Sequence, residues 1–332
     1  MKVCLIGASG HYKYALDAVK ENDELLLSGA SPGSTGEDIS QLVMHLSNMK
    51  IKCETYDDYI SMFDKVKPDI AVINCYFGDH SRVVLEALKR HINVFVEKPI
   101  ATSLEQLDMI KEAWVSSGVF LSSMLALRYE PHFFTAWKSV KRGEIGDVRL
   151  IHAQKSYKLG ERSNFYKYRN TYGGTIPWVG SHAIDWLHWF SGERFVSVYA
   201  GHSSMYNQGN GELEATAACF FNMTNEVMGT VSIDYLRPQT ALTHDDDRVR
   251  IVGSEGIVEV AGSNVYIINK KTNGVEQLSL ESPGQIFNDF VSEIKGKGKC
   301  LVSAQDSFIA TEACLKARLS ADTKKVVFWN KI

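Results

Sequence analysis

No stretch of this sequence holds the roughly 20 consecutive apolar residues that a membrane-crossing helix requires. The opening Met1–Ile6 is too short a run for a secretion signal and breaks at once on a glycine turn. Excess positive charge is also missing. Lys and Arg number 36 against 39 Asp and Glu, for a net charge of −3, so there is no basic face to attract nucleic acid. Proline is scarce, and no Pro/Ser-rich linker, low-complexity tract or internal repeat interrupts the chain. The six cysteines (Cys4, Cys53, Cys75, Cys219, Cys300 and Cys314) include no C-x-x-C pair, which reads as reduced thiols in a cytoplasmic protein. These absences exclude membrane-spanning, nucleic-acid-binding and disulfide-stapled classes and leave a soluble protein with a small-molecule partner.

What is present suffices for two domains. The chain has 332 residues, 45% of them hydrophobic and 23% charged. Up to about residue 124, short apolar runs alternate with amphipathic ones. Strands are expected at Val3–Ile6, Leu25–Leu27, Asp69–Ile73, Val94–Val96 and Val119–Ser122. Helices are expected at His11–Glu21, Thr35–Leu46 (capped by Thr35), Ser81–Arg90 and Leu104–Ser116. That alternation predicts βαβ units and a parallel sheet. After residue 125 the pattern changes. A helix at Pro131–Arg142 and a short one at Ile184–Phe190 are set among alternating runs from Asp147–Tyr157 to Val265–Ile268, and successive strands without intervening helices predict an antiparallel sheet. Two helices, near Ile286–Ile294 and Ser303–Ser320, close the chain, and their packing against either domain is left open. The expected fold is α/β: an N-terminal Rossmann dinucleotide-binding domain, residues 1–124, and a C-terminal α+β domain, residues 125–332, with a large, mostly antiparallel sheet.

Four motifs carry chemistry. Gly7-Ala8-Ser9-Gly10-His11-Tyr12 lies between a strand and a helix, where a dinucleotide's pyrophosphate approaches bare backbone N–H groups. Ser9 and Tyr12 fill the second and third glycine positions of the usual G-x-G-x-x-G. At the end of the second strand, where an acidic residue ordinarily binds the adenosine ribose of NAD, stand Ala30 and Ser31. The missing carboxylate, with Ser31 or Ser34 as donor, leans the choice between NAD and NADP slightly to NADP. Glu97-Lys98-Pro99 ends a strand, at the edge where ligands of open sheets sit, and a lysine there can hydrogen-bond a substrate hydroxyl or, if desolvated, accept its proton. Gly173-Gly174 leads into Trp178 and then His182 and Asp185, which share a helix face at i, i+3. Asp185 could orient the imidazole or sit beside it in the pocket, and the aromatics Phe165, Tyr166, Tyr168, Tyr172 and Trp178 could stack on a sugar ring. Thr243–Arg248 reads as a solvated loop and no metal site is expected.

Together these motifs resemble the Gfo/Idh/MocA oxidoreductase family over nearly the whole chain. The resemblance includes Asn74–His80, Glu97-Lys98-Pro99, Arg128-Tyr129-Glu130-Pro131, Gly143–Val148 and the G-G…G-x-H-x-x-D run. It implies a tightly bound NAD or NADP and hydride transfer at a hydroxyl-bearing carbon of a sugar, polyol or derivative. Lys98 and His182 would be catalytic. Gly7, Ser9, Gly10, His11, Tyr12, Ser31, Asn74, Tyr76, His80, Glu97 and Lys98 would hold the cofactor. Arg128, Tyr157, Trp178, His182 and Asp185 would meet substrate. A homodimer or homotetramer is implied. The sequence departs from the pattern at Trp178, where many members have an aspartate four residues before the histidine, and at Tyr76, in place of a proline. An indole N–H only donates. Two alternatives therefore stand beside the dehydrogenase: a catalytically impaired nucleotide-binding regulatory protein, and a lyase or hydrolase using bound NAD for transient oxidation.

Overall fold

A computed structural model describes residues 1–329, so the last three residues of the expected second domain lie outside it. The chain opens with β1 (Lys2–Ile6), α1 (Lys13–Glu21), β2 (Leu26–Ser31), α2 (Ser40–Asn48), α3 (Tyr59–Val66), β3 (Ile70–Ile73), α4 (His80–Lys89), β4 (Asn93–Val96), α5 (Leu104–Ser117) and β5 (Leu121–Ser123). The strands are unbroken apolar runs because both sheet faces are covered. All four residues of β3 are fully buried, as are Val3–Ile6 of β1. They form a parallel sheet in the order β2-β1-β3-β4-β5. The order reverses between β1 and β3, so the crevice for a ligand opens at the carboxyl ends of those two strands.

Then follow α6 (Pro131–Lys141), β6 (Val148–Tyr157), α7 (Arg169–Tyr172), α8 (Thr175–Trp178), α9 (Gly180–Ser191), β7 (Phe195–Ser203), β8 (Thr216–Met223), β9 (Met228–Asp234), β10 (Asp245–Gly253), β11 (Gly256–Ala261), β12 (Asn264–Asn269) and β13 (Glu276–Gln277). The chain continues with α10 (Ile286–Ile294), α11 (Ala304–Thr323) and β14 (Val327–Phe328). Among the described residues the second sheet has nine strands, in the order β13-β12-β11-β10-β6-β9-β8-β7-β14, antiparallel except for β6 beside β9. Its strands alternate, β8 burying every second residue, because one face is packed and the other is open.

By proximity the chain forms two compact units. The first is Met1–Met124 with Asn170–Gly173 and Gly284–Thr311; the second is Leu125–Arg169, Gly174–Pro283 and Glu312 onward. Within the first unit, Phe95 of β4 packs on Phe287 and Phe290 of α10, at ring separations of 5.1 and 5.5 Å. The Ser122 hydroxyl donates to the Val302 carbonyl at 2.9 Å. Each buried phenylalanine contributes roughly 2 kcal/mol, so the late segment is part of this unit's core.

Two local expectations are corrected. The helix expected from Thr35 begins at Ser40, with no cap from Thr35. Glu37 turns back to take the N–H groups of Gly33 and Ser34, and Gly36 sits at φ +74°, which breaks the helix before it can start. The expected loop Thr243–Arg248 is strand from Asp245 onward, in register with β6, where Asp247 lies opposite Lys155.

Candidate active site

The glycine turn is shaped by what presses against it. Gly7 has φ +80°, and a Cβ there would lie 2.4 Å from the Cys75 backbone. A Cβ on Gly10 would lie 2.8 Å from Asn74 Oδ1 and 2.9 Å from Glu97 Cγ. Both glycines are needed because the residue after β3 and the residue after β4 close on the turn. The N–H groups of the turn are partly spent. Ser9 N–H donates to the Asn74 carbonyl at 2.7 Å, Ala8 N–H to Glu37 Oε1 at 3.0 Å, and His11 N–H to Glu97 Oε2 at 2.9 Å. Those of Gly10 and Tyr12 remain for a phosphate, among the described residues. α1 begins at this point with no side-chain cap.

Glu97 is the centre of the first unit's candidate residues. It is fully buried, and its Oε2 also lies 2.6 Å from His11 Nδ1, while its Oε1 accepts from Lys98 N–H at 3.1 Å and lies 3.6 Å from Lys98 Nζ. Burial alone would raise its pKa. The charges of His11 and Lys98 and the bonds from His11 outweigh burial and hold the carboxyl at about 2. Lys98 is 5% exposed and precedes a cis Lys98–Pro99 bond.

His80 and Ser31 hold different places from those expected of cofactor contacts. His80 is fully buried, with Nδ1 2.8 Å from the Pro99 carbonyl and Nε2 3.1 Å from that of Cys75. It ties the loops after β3 and β4 together, and burial pushes its pKa down. Ser31 is fully buried, and Ser34 Oγ accepts from Tyr76 N–H at 3.1 Å, so the two serines on which the lean to NADP rested face inward. Tyr76 is half-buried, and the Tyr12 ring lies edge-on to His45 at 6.1 Å. Asn74 is fully buried, with neither amide nitrogen nor oxygen partnered. That orphaned amide beside Gly10, at the reversal of strand order, is a donor and acceptor kept for a group from outside. The residues present fit a dinucleotide.

The second unit carries the other candidates. His182 lies in the first turn of α9, 7% exposed. Asp185 lies one turn further along the same helix. Its oxygens accept from Arg128, Oδ2 from Nε at 2.8 Å and Oδ1 from a terminal nitrogen at 2.6 Å. Arg128 also lies 5.3 Å over the Trp189 ring. Two expected substrate contacts thus form a buried clasp on α9. Tyr157 stands among His244, stacked at 5.4 Å, Tyr235 at 6.3 Å and the Lys155 ammonium at 4.9 Å. Trp178 contacts Tyr166 at 5.0 Å, with the Arg162 guanidinium 5.7 Å away. Phe165 and Tyr166 pack together at 4.0 Å in the second unit, whereas Tyr172 belongs to the first, 6.2 Å from Phe77.

Sequence reasoning missed Lys155, Asp247 and Glu37. Lys155 is fully buried, ion-paired to Asp247 and 5.6 Å from the Trp186 ring. Burial pushes the lysine's pKa down and the aspartate's up. The only sequence signal was an uncommon lysine at an inward-facing position of β6. Glu37, 8% exposed, binds the loops after β1 and β2 at once: Oε1 accepts from Ala8 N–H and from Ser9 Oγ at 2.7 Å, and Oε2 from Gly33 and Ser34 N–H at 3.0 and 3.2 Å. Burial raises its pKa against those four donors.

A parallel sheet with a glycine turn at its reversal point, followed by a unit built on a large antiparallel sheet, defines a two-domain nucleotide-binding oxidoreductase. Residues 1–124 match the family described as "Oxidoreductase family, NAD-binding Rossmann fold", and residues 133–259 match the GFO/IDH/MocA C-terminal domain. The chain belongs to the Gfo/Idh/MocA family. A solved structure of a "putative oxidoreductase" from Thermotoga maritima is 52% identical, with a TM-score of 0.96, over 99% of this chain and 100% of that one. An inositol 2-dehydrogenase from Pseudomonas syringae pv. syringae is 24% identical over 94% of each chain. The uncharacterized oxidoreductase YrbE of Bacillus subtilis is 28% identical over 58% of this chain, and the match spans 55% of that protein's length. No helix among the described residues is long and apolar enough to cross a membrane.

Proposed function

We propose that this protein is a dinucleotide-dependent dehydrogenase acting on a hydroxyl-bearing carbon of a polyol, sugar or sugar derivative. One observation carries the reading: buried Glu97 joins the dinucleotide turn, through His11, to Lys98. Gly10 and Tyr12 present N–H groups to the pyrophosphate, and the Asn74 amide meets the cofactor beside them. The nicotinamide, when bound, supplies the hydride acceptor or donor. Lys98 is the group that hydrogen-bonds the reacting hydroxyl, and its ammonium, held by Glu97, stabilises negative charge developing on that oxygen. His182 takes or returns the hydroxyl proton. A hydroxyl-rich substrate is supported by the inositol dehydrogenase kinship and by the cluster of Tyr157, Tyr235 and His244. The open sheet face, with Tyr199 and Phe220 exposed, supports a homo-oligomer, and the free thiols support a cytoplasmic setting.

The test is fluorescence titration with NADH and NADPH, followed by turnover on a panel of polyols and sugars. Lys98→Ala should abolish turnover while leaving nucleotide affinity within about tenfold, since the lysine acts on the hydroxyl rather than the phosphates. Binding of neither nucleotide, or full activity in Lys98→Ala, overturns the reading.

A further inference from the structure

We infer that Glu37, acting with Ser9, makes the adenosine end of the nucleotide site favour a free ribose hydroxyl and reject a 2′-phosphate. The inference rests on the dehydrogenase reading above and names the cofactor within it: NAD rather than NADP.

The argument begins with position. β1 and β2 are neighbours, with Ile6 opposite Ser31, and Gly7 N–H donates to the Ser31 carbonyl. The loops after these strands flank the place where a dinucleotide's adenosine ribose lies. An acid ordinarily reaches it from the end of the second strand. Here Ser31 ends the strand and is buried, and the carboxylate arrives six residues later, on a turn that doubles back. Glu37 touches both loops, Ala8 and Ser9 with one oxygen, Gly33 and Ser34 with the other.

The donor count then decides what the subsite accepts. A carboxylate has about four lone-pair sites, and four donors already fill those of Glu37. Backbone N–H groups that would otherwise form a nest for a phosphate are neutralised from within. Ser9 Oγ has one proton, which points at Glu37 Oε1 from 2.7 Å. The hydroxyl's remaining lone pairs can only accept, and Ser9 is half-buried, not sealed in. A ribose hydroxyl can donate to it. A 2′-phosphate, which near neutral pH offers acceptors and negative charge, meets a hydroxyl that cannot donate and a fixed carboxylate behind it. The nearby arginine that could offset this, Arg82, is directed to the Gly33 carbonyl at 2.9 Å, the Tyr59 hydroxyl at 2.9 Å and Asp79 at 3.3 Å.

The experiment is fluorescence titration of the intact wild-type protein, Glu37→Gln and Glu37→Ser with NADH and with NADPH, alongside their thermal unfolding. Wild type should bind NADH about a hundredfold more tightly than NADPH, the size expected of an unpaired like-charge contact. Both variants remove the charge, and Glu37→Ser also takes the acceptor away from the Ser9 proton; both should narrow that ratio by about tenfold or more. Equal or tighter binding of NADPH by wild type overturns the inference, as does an undiminished preference in folded variants. If neither variant shows a cooperative transition, 5′-AMP and 2′,5′-ADP are compared on wild type, and tighter binding of 2′,5′-ADP overturns it. Binding of neither dinucleotide by wild type is a different failure, that of the dehydrogenase reading itself.

Discussion

Arg128 grips both carboxylate oxygens of Asp185 from across the second unit, and the two side chains are each 2% exposed. The pair is bidentate, charge-assisted and capped by the Trp189 ring. It fixes α9, the helix that carries His182.

Breaking this pair should therefore be read first in stability. Asp185→Asn leaves a buried guanidinium without its counter-charge and should cost about 3–5 kcal/mol. Chemical denaturation of Asp185→Asn, Arg128→Met and the double variant checks it, the double variant recovering part of the loss. A single variant with wild-type stability and a raised KM would instead place Asp185 on the substrate.

The two glycines of the turn should fail in order. Gly7→Ala meets main-chain atoms at 2.4 Å from a left-handed backbone, whereas Gly10→Ala meets the side chains of Asn74 and Glu97. Gly10→Ala should cost roughly 1–3 kcal/mol by overpacking and weaken NADH binding about tenfold or more as Asn74 and the His11 clasp are displaced. Gly7→Ala should unfold at lower denaturant than Gly10→Ala; the reverse order would mean the turn is held elsewhere.

Acid should act through Glu97. Its folded pKa of about 2 lies below the ordinary 4.5, so the stabilisation it provides is full above the unfolded value and drains as pH falls through about 2. The shift corresponds to about 3 kcal/mol. The stability gap between wild type and Glu97→Gln, measured by denaturant unfolding at several pH values, should be widest near neutrality and shrink between pH 4.5 and 2. A gap independent of pH would mean that shape, not charge, is what Glu97 supplies.

What the sequence made legible was local. Val3–Ile6 and Asp69–Ile73 read as strands of a parallel sheet because their apolar runs match burial on both faces, and the glycine turn and Lys98 were placed by the strand ends beside them. What escaped it depended on partners distant in the chain. Asp245–Asp247 looked like a wet loop because the lysine that receives Asp247 lies 92 residues earlier. Glu37 looked like an ordinary residue of a helix because the groups it binds at Ala8 and Ser9 lie 29 and 28 residues before it. The missed helix α3 is a different case. Asp58 caps it by accepting from Ser61 N–H, a signal that was present locally and passed over.

The first unit draws on three separate pieces of chain, and Phe287 and Phe290 complete the packing around Phe95. This bears on how the protein is made. At synthesis rates of about 5–20 residues per second, the nucleotide-binding half waits roughly ten to thirty seconds after its last sheet strand emerges before α10 arrives to close over β4. Through that interval its apolar face is open, so the newborn chain, not the finished one, is where this protein is most exposed to aggregation and most dependent on being shielded.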